Sequence, residues 1–327
     1  MKILIIRFSS IGDIVLTSPV VRCLKKQLPQ AEIHYLTKPA FASIVESNPY
    51  LSKTKLLDKD WKKMMKDLQT EKYDLIVDLH HNIRTLRIKW GLRSVKSVSF
   101  NKLNYEKWLM VRFKVNKLPN LHIVDRYLQA VQYLQVRNDD AGLDFFIKDQ
   151  ERMSISDMLP DSHQSGYIGV VIGASYETKQ LPFHKLSELC QKLRGPIVLL
   201  GGKEDMENGQ KLSALNPEKI FDACGKFSLM ESAFLVSKAD QVISHDTGLM
   251  HIAAAFQKPI ISVWGNTIPG FGMYPYYGKS KSQNISFEVD HLPCRPCSKI
   301  GFHSCPKKHF RCMEEQDIDA MSAIVNA

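Results

Sequence analysis

Residues 2–24 read KILIIRFSSIGDIVLTSPVVRCL, and the opening KILIIR carries the continuous apolar centre of a strand buried on both faces. The loop FSSIG follows, and Asp13 then opens an apolar run with helical spacing that continues to Leu24. Strand, loop and helix in that order put a carboxylate at the carboxyl end of the first strand, where doubly wound folds place their chemistry. Phosphate-binding turns offer backbone N–H groups and a positive helix end at that point. A carboxylate repels phosphate, so this loop is read as holding none. Ser9 and Ser10 supply hydroxyls, Gly12 lets a second molecule approach the backbone, and Asp13 is the nearby group able to accept a proton near neutrality. Two readings stand: Asp13 activates a bound hydroxyl, or it caps a helix N-terminus for about 1 kcal/mol.

The alternation continues outward from this unit. Strand-like runs at residues 32–36, 73–79 and 95–100 are separated by helix-length segments, the pattern of a parallel βαβ sheet. A helix is expected over 122–134. The polar stretch 135–165 has no long periodic segment and reads as an interdomain connection. Strands resume at 166–172, 196–200, 219–222, 241–244 and 259–263, and a last helix is expected over 314–325. The expected architecture is α/β, with a Rossmann-like domain over 1–160 and another over 161–327. Two such halves form a cleft between their strand ends, suited to a two-substrate transfer.

A chain of 327 residues with 44% hydrophobic content supports two cores of about 150 residues each. No run of about 18 apolar residues occurs, and the apolar start is too short for a signal peptide, so a cytoplasmic protein is expected. The net charge of +10 lies entirely in the first half: residues 1–160 hold 27 Lys and Arg against 17 Asp and Glu, the remainder 17 against 17. Residues 84–117 contain ten basic residues and one acidic one, interleaved with Trp90, Phe100, Tyr105, Trp108 and Phe113. Such a mixture suits an anionic membrane surface, or is simply a solvated basic face. Nothing resembles a zinc finger, an RNP signature or an arginine-rich tail, so nucleic acid is not expected as a partner. The first strand lacks a following G-x-G-x-x-G, which argues against a nicotinamide oxidoreductase.

In the second half, VISHDTGLMHIAAAFQKPIISVWG (242–265) reads as strand, turn, helix and strand. Thr247, Gly248 and Leu249 begin the helix, where unpaired N–H groups and the positive dipole end suit a diphosphate. Asp246 orients that turn, and His251, one turn on, either donates to an anion or packs. IGASYETKQLPFHKL (172–186) places Thr178 and Lys179 after another strand, with Lys179 able to neutralise a departing phosphate. LLGGKED (199–205) ends a third strand in glycines. Each turn alone is equally readable as a plain connection. Together they mark the second half as the nucleotide side.

With YDLIVDLHHNIRT (73–85), HIVDRYL (122–128) and the segment from Cys224 to Thr267, these motifs resemble, in order and spacing, the lipopolysaccharide heptosyltransferases of glycosyltransferase family 9. The resemblance implies the GT-B fold and single-displacement, inverting transfer of heptose from an ADP-sugar to a lipopolysaccharide inner core, at the inner face of the cytoplasmic membrane. It implies Asp13 as general base, and Lys179 with the N–H groups of Thr247, Gly248 and Leu249 in place of a metal at the diphosphate. It also implies Asp222 on the ribose, with Thr178, Asp246 and His251 around the donor. Arg7, Ser10, Gly12 and Arg84 match the acceptor side, although HHN (80–82) departs from the family's commoner residues and 86–121 match nothing. A related transferase acting on capsule, O-antigen or protein, and a non-catalytic module for anionic surfaces, remain as rivals.

Three of the seven cysteines, Cys23, Cys190 and Cys224, sit singly in apolar patterns, as reduced and packed thiols do. The others form a C-x2-C-x7-C-x6-C array, Cys294, Cys297, Cys305 and Cys312, with His291, His303 and His309 close by. A structural zinc and free packed thiols are both open readings of that array.

Overall fold

The computed structural model describes residues 1–148, 154–281 and 283–327. The chain forms two compact units, one of residues 1–102, 121–146 and 278–280, the other of 103–120, 147–277 and 281–327.

In the first unit the apolar runs become the parallel strands β1 (Lys2–Ile6), β2 (Glu32–Thr37), β3 (Lys53–Leu56), β4 (Leu75–Asp78) and β5 (Lys96–Ser99), in the order β3-β2-β1-β4-β5. The order reverses direction between β1 and β4, which makes their carboxyl ends the switch point where such sheets bind ligands. Leu4, Ile6, Leu36 and Ile76 pack with Met64, Leu68 and Ile88 into a core. The helical run after β1 is split into α1 (Ile11–Val15) and α2 (Ser18–Gln27), because Pro19 sits in the first turn of the second helix, where its missing N–H costs nothing. Around the sheet follow α3 (Ala42–Glu46), α4 (Trp61–Thr70) and α5 (Ile83–Gly91).

The second unit opens with α6 (Asn104–Phe113), whereas α7 (Ile123–Gln129) returns to the first unit. The expected helix over 122–134 stops early, giving way to a 3₁₀ turn at Gln132–Leu134 that ends on Gln135 at φ 63. The short helices α8 (Ile155–Met158) and α9 (Asp161–Gln164) lie in the expected connection, of which residues 149–153 are outside the described residues.

A six-stranded parallel sheet follows, built from β6 (Ile168–Val171), β7 (Ile197–Leu200), β8 (Ile220–Asp222), β9 (Gln241–His245), β10 (Ile260–Trp264) and β11 (Asn284–Glu288). Its order, β8-β7-β6-β9-β10-β11, is the doubly wound order with its switch point between β6 and β9. The helices α10 (Phe183–Lys192), α11 (Met206–Ser213), α12 (Leu229–Lys238) and α13 (Gly248–Ala255) alternate with these strands. The expected C-terminal helix is two pieces, α14 (Arg311–Glu314) and α15 (Ile318–Val325); the second restarts where the Asp317 carboxylate accepts the Ala320 N–H at 2.9 Å.

The units do not follow the expected division at residue 160. Residues 103–120 join the second unit because the Lys114 ammonium donates to the carbonyls of Cys294 (3.1 Å) and Pro296 (2.7 Å). Residues 278–280 join the first, where Lys279 donates its N–H to the Asp140 carbonyl at 2.7 Å and its ammonium pairs with the Asp140 carboxylate at 3.0 Å.

Candidate active site

At the first switch point Ser10 is the N-cap of α1, and Asp13 stands three residues in. The Asp13 carboxylate reaches back to the Ser10 N–H (3.2 Å) and hydroxyl (2.9 Å), as the acidic member of a capping box does. Its other oxygen pairs with an Arg7 guanidinium nitrogen at 2.7 Å. Three donors leave acceptor capacity on a carboxylate whose side chain is still 19% exposed. Burial by itself raises the pKa of Asp13. The Arg7 charge and the Ser10 donors outweigh it and hold the carboxyl below its ordinary range.

Arg7, expected on the acceptor, instead spends its donors inside the protein. Besides Asp13 it donates to the carbonyls of Ser9 (2.8 Å) and Leu79 (2.6 Å) and to the Tyr127 hydroxyl (3.1 Å). Asp78, which ends β4 fully buried, shapes the facing turn by accepting the N–H groups of His80 (3.1 Å) and His81 (2.6 Å) and pairing with Lys89 at 3.0 Å. His80 packs on Phe8 with ring centroids 4.9 Å apart; burial, joined by the Arg7 and Lys102 charges, pushes its imidazole down to about 4. Gly12 is buried beside this turn, Ser10 is exposed, and Arg84 is exposed over the Phe8 ring. Arg84 also lines a cavity of about 680 Å³ with Asp58, Lys59, Trp61, Ile83 and Arg87.

At the second switch point Lys179, after β6, pairs with Asp246, after β9, at 2.6 Å. The same Asp246 oxygen accepts the Thr267 hydroxyl at 3.1 Å. Thr247 caps α13, leaving the half-buried Gly248 and Leu249 in its first turn, while His251 is buried one turn later. His245, at the end of β9, accepts the Leu181 N–H on Nε2 at 2.9 Å; burial, partly opposed by the Gly173 backbone, pushes it down to about 4. Gly265 allows β10 to meet the Lys179 turn, since a Cβ there would lie 2.6 Å from the Thr178 carbonyl oxygen.

Two residues expected on the donor are turned inward. The Thr178 hydroxyl is engaged by the Phe302 backbone, accepting its N–H at 2.8 Å and donating to its carbonyl at 3.0 Å. Asp222 accepts the Cys224 N–H at 3.0 Å and pairs with Lys226 at 3.2 Å. Conversely, Asn266 had no role assigned from sequence, yet its side chain is 1% exposed and neither amide atom has a hydrogen-bond partner among the described residues. Its place in the segment from Cys224 to Thr267 was the signal available.

Cys294 Sγ lies 3.7 Å from His309 Nε2, but among the described residues the His, Cys, Asp and Glu ligand atoms that converge within 4.8 Å are those of Glu32, His34 and Glu71. The array's segment braces the second switch point: the Cys297 N–H donates to the Asn266 carbonyl at 3.1 Å, and Arg295 to the Thr267 carbonyl at 3.0 Å. Burial, with Cys294 nearby, pushes the Cys297 thiol up to about 11. Among the described residues no helix is long and apolar enough to cross a membrane.

A family model described as glycosyltransferase family 9 (heptosyltransferase) matches residues 61–302. Lipopolysaccharide heptosyltransferase 1 of Campylobacter coli is 25% identical over 314 residues, 89% of each chain. The Pseudomonas aeruginosa enzyme of the same name is 25% identical over 326 residues, 91% of this chain and 86% of its own. Among solved structures, the E. coli heptosyltransferase WaaC with ADP is similar with a TM-score of 0.71 and 21% identity over 100% of both chains. That likeness bears out the expected fold class, two Rossmann-like domains of the GT-B type.

Proposed function

Because the chain belongs to glycosyltransferase family 9, the heptosyltransferase family, we propose that it transfers heptose from ADP-heptose to an anionic lipopolysaccharide inner core with inversion. The observation that carries this reading is the Asp13 carboxylate, held by Arg7 and Ser10 at a switch point yet still open to a hydroxyl. In the proposed step the acceptor oxygen attacks the anomeric carbon and passes its proton to Asp13. The new glycosidic C–O bond forms as the bond to the diphosphate breaks, and the diphosphate leaves with the electron pair. Lys179 and the N–H groups opening α13 receive that charge, the kind of preorganised stabilisation that counts most in a transition state. Arg7 acts as a positioning residue: it fixes the carboxylate and keeps it ionised, which makes Asp13 an oriented but weak base.

On this reading transfer needs no metal and persists in EDTA. Incubation with ADP-, UDP- and GDP-sugars and truncated cores, with product mass as readout, tests donor and acceptor together. A product from ADP-heptose and inner core is expected. Transfer from a UDP- or GDP-sugar alone, or to capsule or protein alone, overturns the reading.

A further inference from the structure

The helix α5 covers the first sheet with only a narrow face, burying Thr85 and Ile88. The opposite face is apolar and bare: Ile83 is 87% exposed, Leu86 62% and Trp90 74%. Spacings of three and four residues place these side chains on one stripe. Solvation does not account for such a stripe, since a nine-residue helix that needs only solubility would carry polar groups there.

The flanks identify what covers it. Between Asp78 and Glu106 the chain has no acidic residue and six basic ones. Arg84, Arg87, Arg93 and Lys96 are all exposed, and none is paired with a carboxylate among the described residues. Arg87 lies over the Trp61 ring at 4.2 Å, which holds its guanidinium beside the stripe. The acids nearby are Asp58, which lines the cavity next to α5, and Asp78, which is neutralised by Lys89. A protein groove or a second copy would have to bring compensating carboxylates. An anionic lipid surface supplies negative charge and an apolar layer at once, in the geometry an interfacial helix uses.

We propose that the Ile83, Leu86 and Trp90 face of α5 docks on an anionic glycerophospholipid bilayer, with Arg84, Arg87, Arg93 and Lys96 on the headgroups. The inference stands on this helix alone, whatever the acceptor. The contact is shallow and salt-sensitive, because one short stripe buries little area and exposed charges are screened within about 8 Å at physiological salt.

The test is co-sedimentation of the full chain with vesicles of phosphatidylethanolamine containing about one quarter phosphatidylglycerol, against pure phosphatidylcholine vesicles. The parent should bind the anionic vesicles and lose them as salt rises. Leu86→Ser with Trp90→Ser should bind about tenfold or more weakly, with its thermal unfolding unchanged because both positions are exposed. Arg93→Gln with Lys96→Gln should weaken binding several-fold and flatten the salt dependence. Equal binding of the serine variant, or equal binding to phosphatidylcholine, overturns the proposal. So does a loss that follows Trp108→Ser in α6 and spares the α5 variant. Concentration-dependent dimers that vanish in the α5 variant, with no vesicle binding by the parent, would assign the face to a second copy instead.

Discussion

The two switch points carry the same pair of charges in opposite places. In the first unit the cation, Arg7, follows the strand directly and is tied to three further protein oxygens, so the group left exposed is the carboxylate. In the second unit the cation, Lys179, lies on the turn after the first strand, and the carboxylate, Asp246, is the member tied down by a neighbour, Thr267. A lysine ammonium has three donors and holds its partner less rigidly than an arginine fork does. An incoming anion can therefore compete for Lys179 beside the helix end, whereas at Asp13 an anion is repelled and a hydroxyl is accepted. On the proposed mechanism one topology thus yields a proton acceptor and an anion receiver, according to which charge is locked.

The sharpest way to break this contrast is to remove the exposed carboxylate. Asp13→Asn should lower kcat about 10²- to 10⁴-fold, the range for loss of a general base; parental turnover would remove Asp13 from the chemistry. Arg7→Met tests whether the lock tunes the base. In the proposed step Asp13 works when ionised, so activity should be lost as pH falls through its carboxyl's pKa, which in the parent lies below the usual value of about 3.9. Without the guanidinium that carboxyl should titrate higher, moving the acid limb of kcat/KM up with it. Arg7→Lys should restore most of the parental profile, and an unmoved limb in Arg7→Met would show that Arg7 only supports the fold.

The second unit should fail differently in acid. His245 is kept neutral, down to about 4, while in the unfolded chain it takes up a proton near 6.5. Its contribution is therefore whole above about pH 6.5 and is lost as pH falls toward 4, at up to about 1.4 kcal/mol per unit. His245→Gln should flatten that part of the stability curve in denaturant titrations; a curve that stays as steep would place the acid sensitivity elsewhere. The smallest effect is expected from Thr267→Val. Losing one hydroxyl bond to Asp246, worth about 1 kcal/mol, should weaken ADP several-fold in a binding assay, and unchanged affinity would leave Asp246 steered by Lys179 alone.

Central strands were legible because burial on both faces forces runs such as ILII in β1 and VIS in β9. The two strands that escaped sequence reasoning, β3 (KTKL) and β11 (NISFE), are sheet edges, where one side has no partner strand and lysines or polar residues are favoured. At the site, the turns were visible as small residues after strands, but not which side chain each turn would consume. Arg7, Thr178 and Asp222 all sit at the expected positions. The bonds of Arg7 to Leu79 and of Thr178 to Phe302 depend on chain segments 72 and 124 residues away folding back, which spacing does not encode, while Asp222 is taken up by its own local turn at Cys224. The cysteine segment shows the same limit, since its bracing of Asn266 and Thr267 is not announced by C-x2-C spacing.

The central claim is that the two locked pairs divide the labour between acceptor chemistry and nucleotide binding. Calorimetric titration of ADP into Asp13→Asn and Lys179→Ala, side by side with the parent, tests it most directly. The account predicts parental ADP affinity for Asp13→Asn and at least a tenfold loss for Lys179→Ala, the scale expected when one charge-assisted contact to phosphate is removed. Weakened ADP binding by Asp13→Asn, or parental binding by Lys179→Ala, would contradict it.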